Sequence, residues 1–69
     1  MSEKILLEIT ENVTGDNYLW RVVKRGDEDG DFFDYEEYKN GLESQSESFS
    51  TPRRALVEII DSLLDKIIY

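Results

Sequence analysis

The chain has 69 residues, a formal net charge of −8 and neither cysteine nor histidine. These counts predict one acidic domain over residues 1–69 and exclude disulfides, cysteine-based zinc sites, thiol nucleophiles and Ser-His-Asp catalysis. Anionic nucleic acids and membranes would repel such a chain, so any charged partner should be basic. With no signal-peptide pattern and no apolar run long enough to span a membrane, we expect a cytoplasmic protein.

The first third of the chain predicts a β-hairpin. Lys4–Thr10 alternates apolar and polar side chains, and Tyr18–Arg25 does the same, with its two aromatic residues on one face. Residues 12–17 between them include glycine and asparagine, which tolerate the positive φ of a tight turn. The two runs therefore predict two antiparallel strands.

The acidic segment that follows predicts a loop and then a short helix. Asp34 and Glu37 have the spacing of a capping box, and Phe33 and Tyr38 have that of a hydrophobic staple. A glycine then stands where a left-handed helix cap belongs. We therefore expect a short helix over residues 35–40.

The last part of the chain predicts a third strand over Leu42–Ser50 and a long helix up to Ile68. A hydroxyl residue followed by proline, as in Thr51-Pro52, is typical of a helix start. The apolar residues of this helix cover an arc of about 220°, wider than one three-stranded sheet needs. A compact monomer with a covered helix is one interpretation. The other is a homodimer that uses the helix and a sheet edge, with these interface residues: Val57, Ile60, Leu64 and Ile68.

Three short motifs resemble the YegP-like family of small bacterial domains of unknown function. They are Tyr18-Leu19-Trp20-Arg21-Val22, Ser46-Glu47-Ser48-Phe49-Ser50-Thr51, and Ala55 with Ile59. The resemblance implies a ββ-β-α unit that pairs with a second copy, with the acidic segment as an insertion, and it implies no activity. Taken in order, the elements predict an α+β fold: a three-stranded antiparallel sheet packed by one long C-terminal helix, with a short acidic helix between strands two and three.

Negative charge is concentrated between Asp27 and Glu47, which contains nine carboxylates and a single base, Lys39. Acids and bases outside this segment balance, so the segment should produce a directional field. Aromatic residues among the acids add contact area for a partner. The predicted partner-binding residues are Asp27, Glu28, Asp29, Asp31, Asp34, Glu36, Glu37, Glu43, Phe32, Tyr35 and Tyr38.

The function that these features favour is noncatalytic. A DNA mimic that occludes a basic nucleic-acid-binding protein, such as a phage inhibitor of a host protein, is the leading hypothesis. One alternative is a housekeeping domain whose acidic segment only provides solubility. Another is a weak calcium-binding protein, because Asp27, Asp29 and Asp31 resemble an EF-hand loop that lacks its central glycine. We expect no enzymatic activity, no cofactor, no dedicated metal site and no direct contact with nucleic acid or membrane.

Overall fold

Four antiparallel strands form one sheet, and a C-terminal helix packs on one of its faces. The computed structural model describes residues 3–67. The strands follow chain order across the sheet, so each one pairs with its neighbour in sequence. The elements are β1 (Glu3–Glu11), β2 (Tyr18–Asp27), β3 (Gly30–Lys39), β4 (Leu42–Phe49) and α1 (Pro52–Ile67).

The predicted three-stranded sheet and short acidic helix are wrong, because the segment assigned to that helix is the second half of β3. Alternation along β3 places Tyr35 and Glu37 on the face that carries α1, called here the helix face. It places Asp34 and Glu36 on the opposite, open face. In the strand, Tyr35 lies opposite Val22 of β2 and its side chain enters the core, where it is 1% exposed. Tertiary packing therefore overrides the local helix signals.

The turn from β3 to β4 explains the glycine that was predicted to cap a helix. Asn40 and Gly41 have φ values of 53° and 84°, the left-handed pair that closes a two-residue hairpin. The Asn40 N–H donates to the carbonyl of Asn17 at 2.8 Å, and the Asn40 side-chain oxygen accepts from the Asn17 N–H at 3.1 Å. These bonds tie this turn to the one between β1 and β2.

The remaining predicted elements are confirmed. The β1–β2 hairpin forms with a register shift beside Leu6, and the strand predicted over Leu42–Ser50 is β4. The helix begins at Pro52, where the Thr51 hydroxyl accepts from the Arg54 N–H at 3.4 Å, and it extends to Ile67. Its predicted last residue, Ile68, lies outside the described residues. Within the described part of the chain, no helix is long and apolar enough to cross a membrane.

The core lies between α1 and the central strands β2 and β3. Its members are Tyr18, Trp20, Val22, Tyr35, Ala55 and Ile59. The rings of Tyr18 and Trp20 stack with their centroids 5.4 Å apart. Ala55 and Ile59 are fully buried, and the small alanine allows the helix backbone to approach the sheet closely.

The helix sits towards one side of the sheet. It contacts β2, β3 and β4 but makes no set of contacts with β1 within residues 3–67. Ser62 points inward to Tyr35, while Ile60 and Ile67 are 51% and 37% exposed. The shape is elongated, 41 × 21 × 16 Å, with a radius of gyration of 12.5 Å. A compact chain of this length has about 11 Å.

Candidate protein-interaction surface

The structure distributes the nine acids of residues 27–47 over the two faces of the sheet and the turn between β2 and β3, so they do not form one patch. Because side chains alternate along a strand, consecutive acids of β3 point in opposite directions. Asp34 and Glu36 lie on the open face, Asp31 and Glu37 on the helix face. The environment of each acid therefore has to be considered separately.

Glu37 is a buried carboxylate whose hydrogen bonds all come from neutral donors. Its side chain lies beneath α1, and the residue is 2% exposed. Its Oε1 accepts from the Trp20 indole N–H at 2.8 Å and lies 2.8 Å from the hydroxyls of Tyr35 and Ser62. Its Oε2 accepts from the Ser44 hydroxyl at 2.9 Å. This acid therefore joins β2, β3, β4 and α1 at one point.

These hydrogen bonds decide the ionisation of Glu37. Burial alone favours the neutral acid, but the bonds from Ser62, Trp20, Tyr35 and Ser44 outweigh it and hold the pKa of Glu37 below the usual value for glutamate. The carboxylate is thus an anion at neutral pH with its charge directed inward. It contributes to the internal structure and is not available to a partner on the surface.

Two arginines of β2 neutralise the acids on the open face. Arg21 Nε lies 2.6 Å from Glu36 Oε1, and Arg25 Nη2 lies 3.1 Å from Glu36 Oε2. Arg25 Nε also lies 2.5 Å from Asp34 Oδ2, and its Nη1 pairs with Glu3. The result is a network of alternating charges across β1, β2 and β3.

The network perturbs its members in the direction expected for ion pairs. Burial opposes ionisation of Glu36, but hydrogen bonds from Arg21, Tyr38 and Arg25 outweigh it and hold the pKa of Glu36 below its usual value. The hydrogen bond to Glu36 is the main reason that the pKa of Arg21 is raised. The charges of β2 and β3 on the open face are therefore paired with one another and cancel.

Three acids remain without an ion-pair partner among residues 3–67 at the turn between β2 and β3, and we call them the acidic tip: Asp27, Glu28 and Asp29. All three are exposed. The Asp29 N–H donates to Asp27 Oδ1 at 2.9 Å, a side-chain hydrogen bond within the turn. Asp31, next to the tip, pairs with Lys24 at 3.4 Å.

A second group of acids lies along β4 and the neighbouring side of α1. Within residues 3–67 the members of this acidic edge have no ion-pair partner: Glu43, Glu47, Glu58 and Asp65. Ser62 places the helix acids on this side, because it contacts Glu37 beside β4 and residues three or four positions away share a helix face. Sequence reasoning missed this group, since helix acids and strand bases balance in number but are separated in space. The one sequence signal for the group is helical spacing, because Glu58 and Asp65 lie four and three positions from Ser62.

The structure separates the predicted partner-binding residues into exposed and covered ones. Asp27, Glu28, Asp29, Asp31 and Glu43 are exposed, and Phe32, Asp34 and Tyr38 are half-buried. Tyr35, Glu36 and Glu37 are buried at 1%, 7% and 2% exposure. Among the predicted dimer residues Ile60 and Leu64 are exposed and Val57 is half-buried, whereas Ile68 lies outside the described residues.

The described residues offer no metal site and one shallow pocket away from the acidic tip. No group of three or more acids lies close enough to hold a metal ion in the described range 3–67. The segment that resembles a calcium loop is a tight turn flanked by paired strands. A shallow pocket of about 350 Å³ at the opposite end of the sheet is lined by polar turn residues and by Tyr18, Leu19 and Tyr38. Its one acid, Glu11, accepts hydrogen bonds from the N–H groups of Val13 and Thr14.

Comparison with known proteins gives no family for this chain. No family model matches the sequence, and neither a curated protein nor a solved structure does. The resemblance to the YegP-like family therefore stays a prediction.

Proposed function

We propose that this chain is a noncatalytic binding protein that inserts its acidic tip into the cationic surface of a basic, nucleic-acid-binding protein. The supporting observation is the acidic tip itself: Asp27, Glu28 and Asp29 are exposed and unpaired within residues 3–67, and they stand on a two-residue turn between long paired strands. Because the strands fix the turn, binding costs little conformational entropy. The acids then act as a preformed anionic array.

The surroundings of the tip suit a cationic groove. The arginines and lysine of β2 are engaged with Asp34, Glu36 and Asp31, so they do not cancel the charge of the tip. The molecule is elongated, with a cross-section of 21 × 16 Å, so it can present the tip at the end of a narrow body. Phe32, half-buried beside the tip, adds apolar contact area. A protein that binds duplex DNA supplies the matching groove lined by lysine and arginine.

Capture and displacement test this proposal. The immobilised chain is incubated with cell lysate at low salt and at about 0.5 M salt, where surface charges are screened over a few ångströms. We expect a basic nucleic-acid-binding protein to be retained only at low salt. The purified partner is then loaded with a labelled DNA duplex, and added chain should displace the duplex.

Two variants of equal charge locate the contact. The tip variant carries Asp27→Asn, Glu28→Gln and Asp29→Asn, and the asparagine at 27 can still accept the hydrogen bond within the turn. The edge variant carries Glu43→Gln, Glu47→Gln and Asp65→Asn. Each removes three negative charges, so long-range attraction falls equally. We expect the tip variant to lose displacement and the edge variant to keep most of it. Equal losses, or a partner that retains its DNA while bound, would refute the proposal.

A further inference from the structure

Asn40 connects the two turns at the end of the sheet opposite the acidic tip. Its N–H donates to the carbonyl of Asn17 at 2.8 Å, and its side-chain oxygen accepts from the Asn17 N–H at 3.1 Å. Its Nδ2 donates to Asp16 Oδ1 at 3.4 Å, and the neighbouring Lys39 pairs with Asp16 at 3.7 Å. We call these contacts the turn clasp. The clasp therefore uses both the oxygen and the nitrogen of the Asn40 amide.

The sequence around Asn40 is the one that favours deamidation. Of the three asparagines in the chain, Asn40 is followed by glycine, whereas Asn12 and Asn17 are followed by valine and tyrosine. In deamidation the backbone nitrogen of the next residue attacks the side-chain Cγ. Glycine permits this attack, because it has no side chain to crowd the nitrogen and its backbone rotates freely. Asn40 and Gly41 are both exposed, so water reaches the site.

The folded turn keeps the reacting atoms apart. A φ of 53° places Asn40 in the left-handed region, where ψ is about +47°. At this ψ the Gly41 nitrogen lies on the side of Cα away from the Asn40 side chain, so it does not reach Cγ. The two side-chain hydrogen bonds of the turn clasp hold the amide in place. The backbone has to rotate and the clasp has to open before the nitrogen can attack.

We propose that Asn40 is a site of spontaneous deamidation that reacts from the open form of the turn clasp and then weakens the clasp permanently. In the open form the Gly41 nitrogen bonds to Asn40 Cγ, and the bond from Cγ to Nδ2 breaks. The proton lost by the Gly41 nitrogen is balanced by the one that Nδ2 gains, so ammonia leaves and a succinimide ring remains. Water then adds to either ring carbonyl and opens the ring. The products are aspartate and isoaspartate at position 40.

Neither product restores the whole clasp. Aspartate at position 40 has no N–H to donate to Asp16, and the two carboxylates repel each other at this short distance. Isoaspartate carries the main chain through its side-chain carbon, which lengthens the connection to Gly41 and removes the left-handed two-residue turn. A transient opening of this end of the sheet is thereby converted into a lasting one. The acidic tip lies at the other end, so the reaction is independent of the function proposed above.

Peptide mapping by mass spectrometry tests the site and its protection by the fold. The full chain is aged at mildly alkaline pH in native buffer and in concentrated guanidinium chloride, which unfolds it. In denaturant we expect Asn40 to convert while Asn12 and Asn17 keep their amides. In native buffer Asn40 should convert at least about tenfold more slowly, because the clasp bonds have to break first. An Asn40 that stays intact in denaturant, or equal rates in the two solutions, overturns the proposal.

Three variants test the role of the clasp. Asp16→Ala removes the acceptor of Asn40 Nδ2, so in native buffer Asn40 should convert about threefold faster. The matched control is Asp16→Asn, which removes the charge but keeps a side-chain oxygen that can accept this bond, and it should react at close to the wild-type rate. Asn40→Asp reproduces one product and should lower the urea midpoint by about 0.5–1 M. Equal rates for the two Asp16 variants, or a wild-type midpoint for Asn40→Asp, would contradict the coupling between the reaction and the clasp.

Discussion

Replacing Glu37 by glutamine tests whether the buried carboxylate is required as an anion. Glutamine keeps the shape, retains one oxygen to accept from the Trp20 indole, and offers an N–H to the Ser44 hydroxyl. Hydrogen bonds to a charged acceptor contribute about 1.5–3 kcal/mol, against about 0.5–1.5 kcal/mol for neutral pairs. The substitution also removes the cost of burying a charge, which offsets part of the loss. We expect the free energy of unfolding to fall by about 1–2 kcal/mol.

Replacing Glu37 by leucine is the more severe change. The Trp20 indole N–H then has no acceptor, and the hydroxyls of Tyr35 and Ser62 retain only each other, 2.9 Å apart. A buried donor left unpaired costs about 1–3 kcal/mol, so we expect a total loss of about 3–5 kcal/mol. A chain of this length has a stability of about 3–10 kcal/mol, so this variant should be largely unfolded or close to it.

Urea denaturation followed by the fluorescence of Trp20, the single tryptophan, measures both effects. With a slope of about 1 kcal/mol per molar urea, a loss of 2 kcal/mol lowers the midpoint by about 2 M. Glu43→Gln, an exposed acid on β4, is the control and should change the midpoint by less than about 0.5 M.

The pH dependence gives an independent check on the same group. The pKa of Glu37 is lowered in the folded chain, so its contribution is complete above the unfolded-state pKa of about 4.3 and is lost as the pH falls through the folded value. The difference between wild type and Glu37→Gln should therefore shrink in acid. A glutamine variant with wild-type stability at pH 7 and an unchanged acid transition would show that the carboxylate is not needed as an anion.

Two further substitutions examine the core phenol and the corrected turn. Burial raises the pKa of Tyr35 to about 12, so an absorbance titration should show a late tyrosine step near that pH, and Tyr35→Phe should abolish that step. Its stabilisation is intact below about pH 10 and is lost as the pH rises towards 12; a titration without a late step contradicts the burial argument. Gly41→Ala should cost about 1 kcal/mol in urea unfolding because of its positive φ, whereas Leu42→Ala, at a residue that is 75% exposed, should cost less than about 0.5 kcal/mol. Equal costs would mean that the left-handed turn is not required.

The elements predicted correctly are those in which local pattern and tertiary packing agree. The β1–β2 hairpin alternates along its length, and α1 has a proline start and no internal glycine or proline. The sequence of the segment that forms β3 is compatible with a helix and with a strand. Asp34 and Glu37 fit the capping box of a helix, but acids and aromatic residues are also interspersed as in a strand. The choice depends on Glu37 meeting the Trp20 indole and on Tyr35 entering the core. Neither contact is local in sequence.

The acidic surface could be predicted in composition but not in layout. Counting charge along the chain separates a negative segment from a neutral remainder, yet Arg21 and Arg25 of that remainder neutralise the acids of β3. The helix acids Glu58 and Asp65, which appear balanced by those bases in the count, then lie beside β4 without an ion-pair partner within residues 3–67. Cross-strand register sets these pairings, and the register depends on where each turn falls. The exposed acidic tip could be predicted from the sequence, because a glycine follows three successive acids there, which is typical of a solvated turn.

The meander order of the sheet has a consequence for how quickly the chain reaches its native state. Each strand meets a partner a few residues away, so no long loop has to close before the ladders β1–β2, β2–β3 and β3–β4 can form. Such local pairings favour rapid folding compared with sheets built from distant segments. The pair Asn17 and Asn40 then joins the two outer hairpins only after both turns exist, which makes it a natural reporter of the last step in sheet assembly.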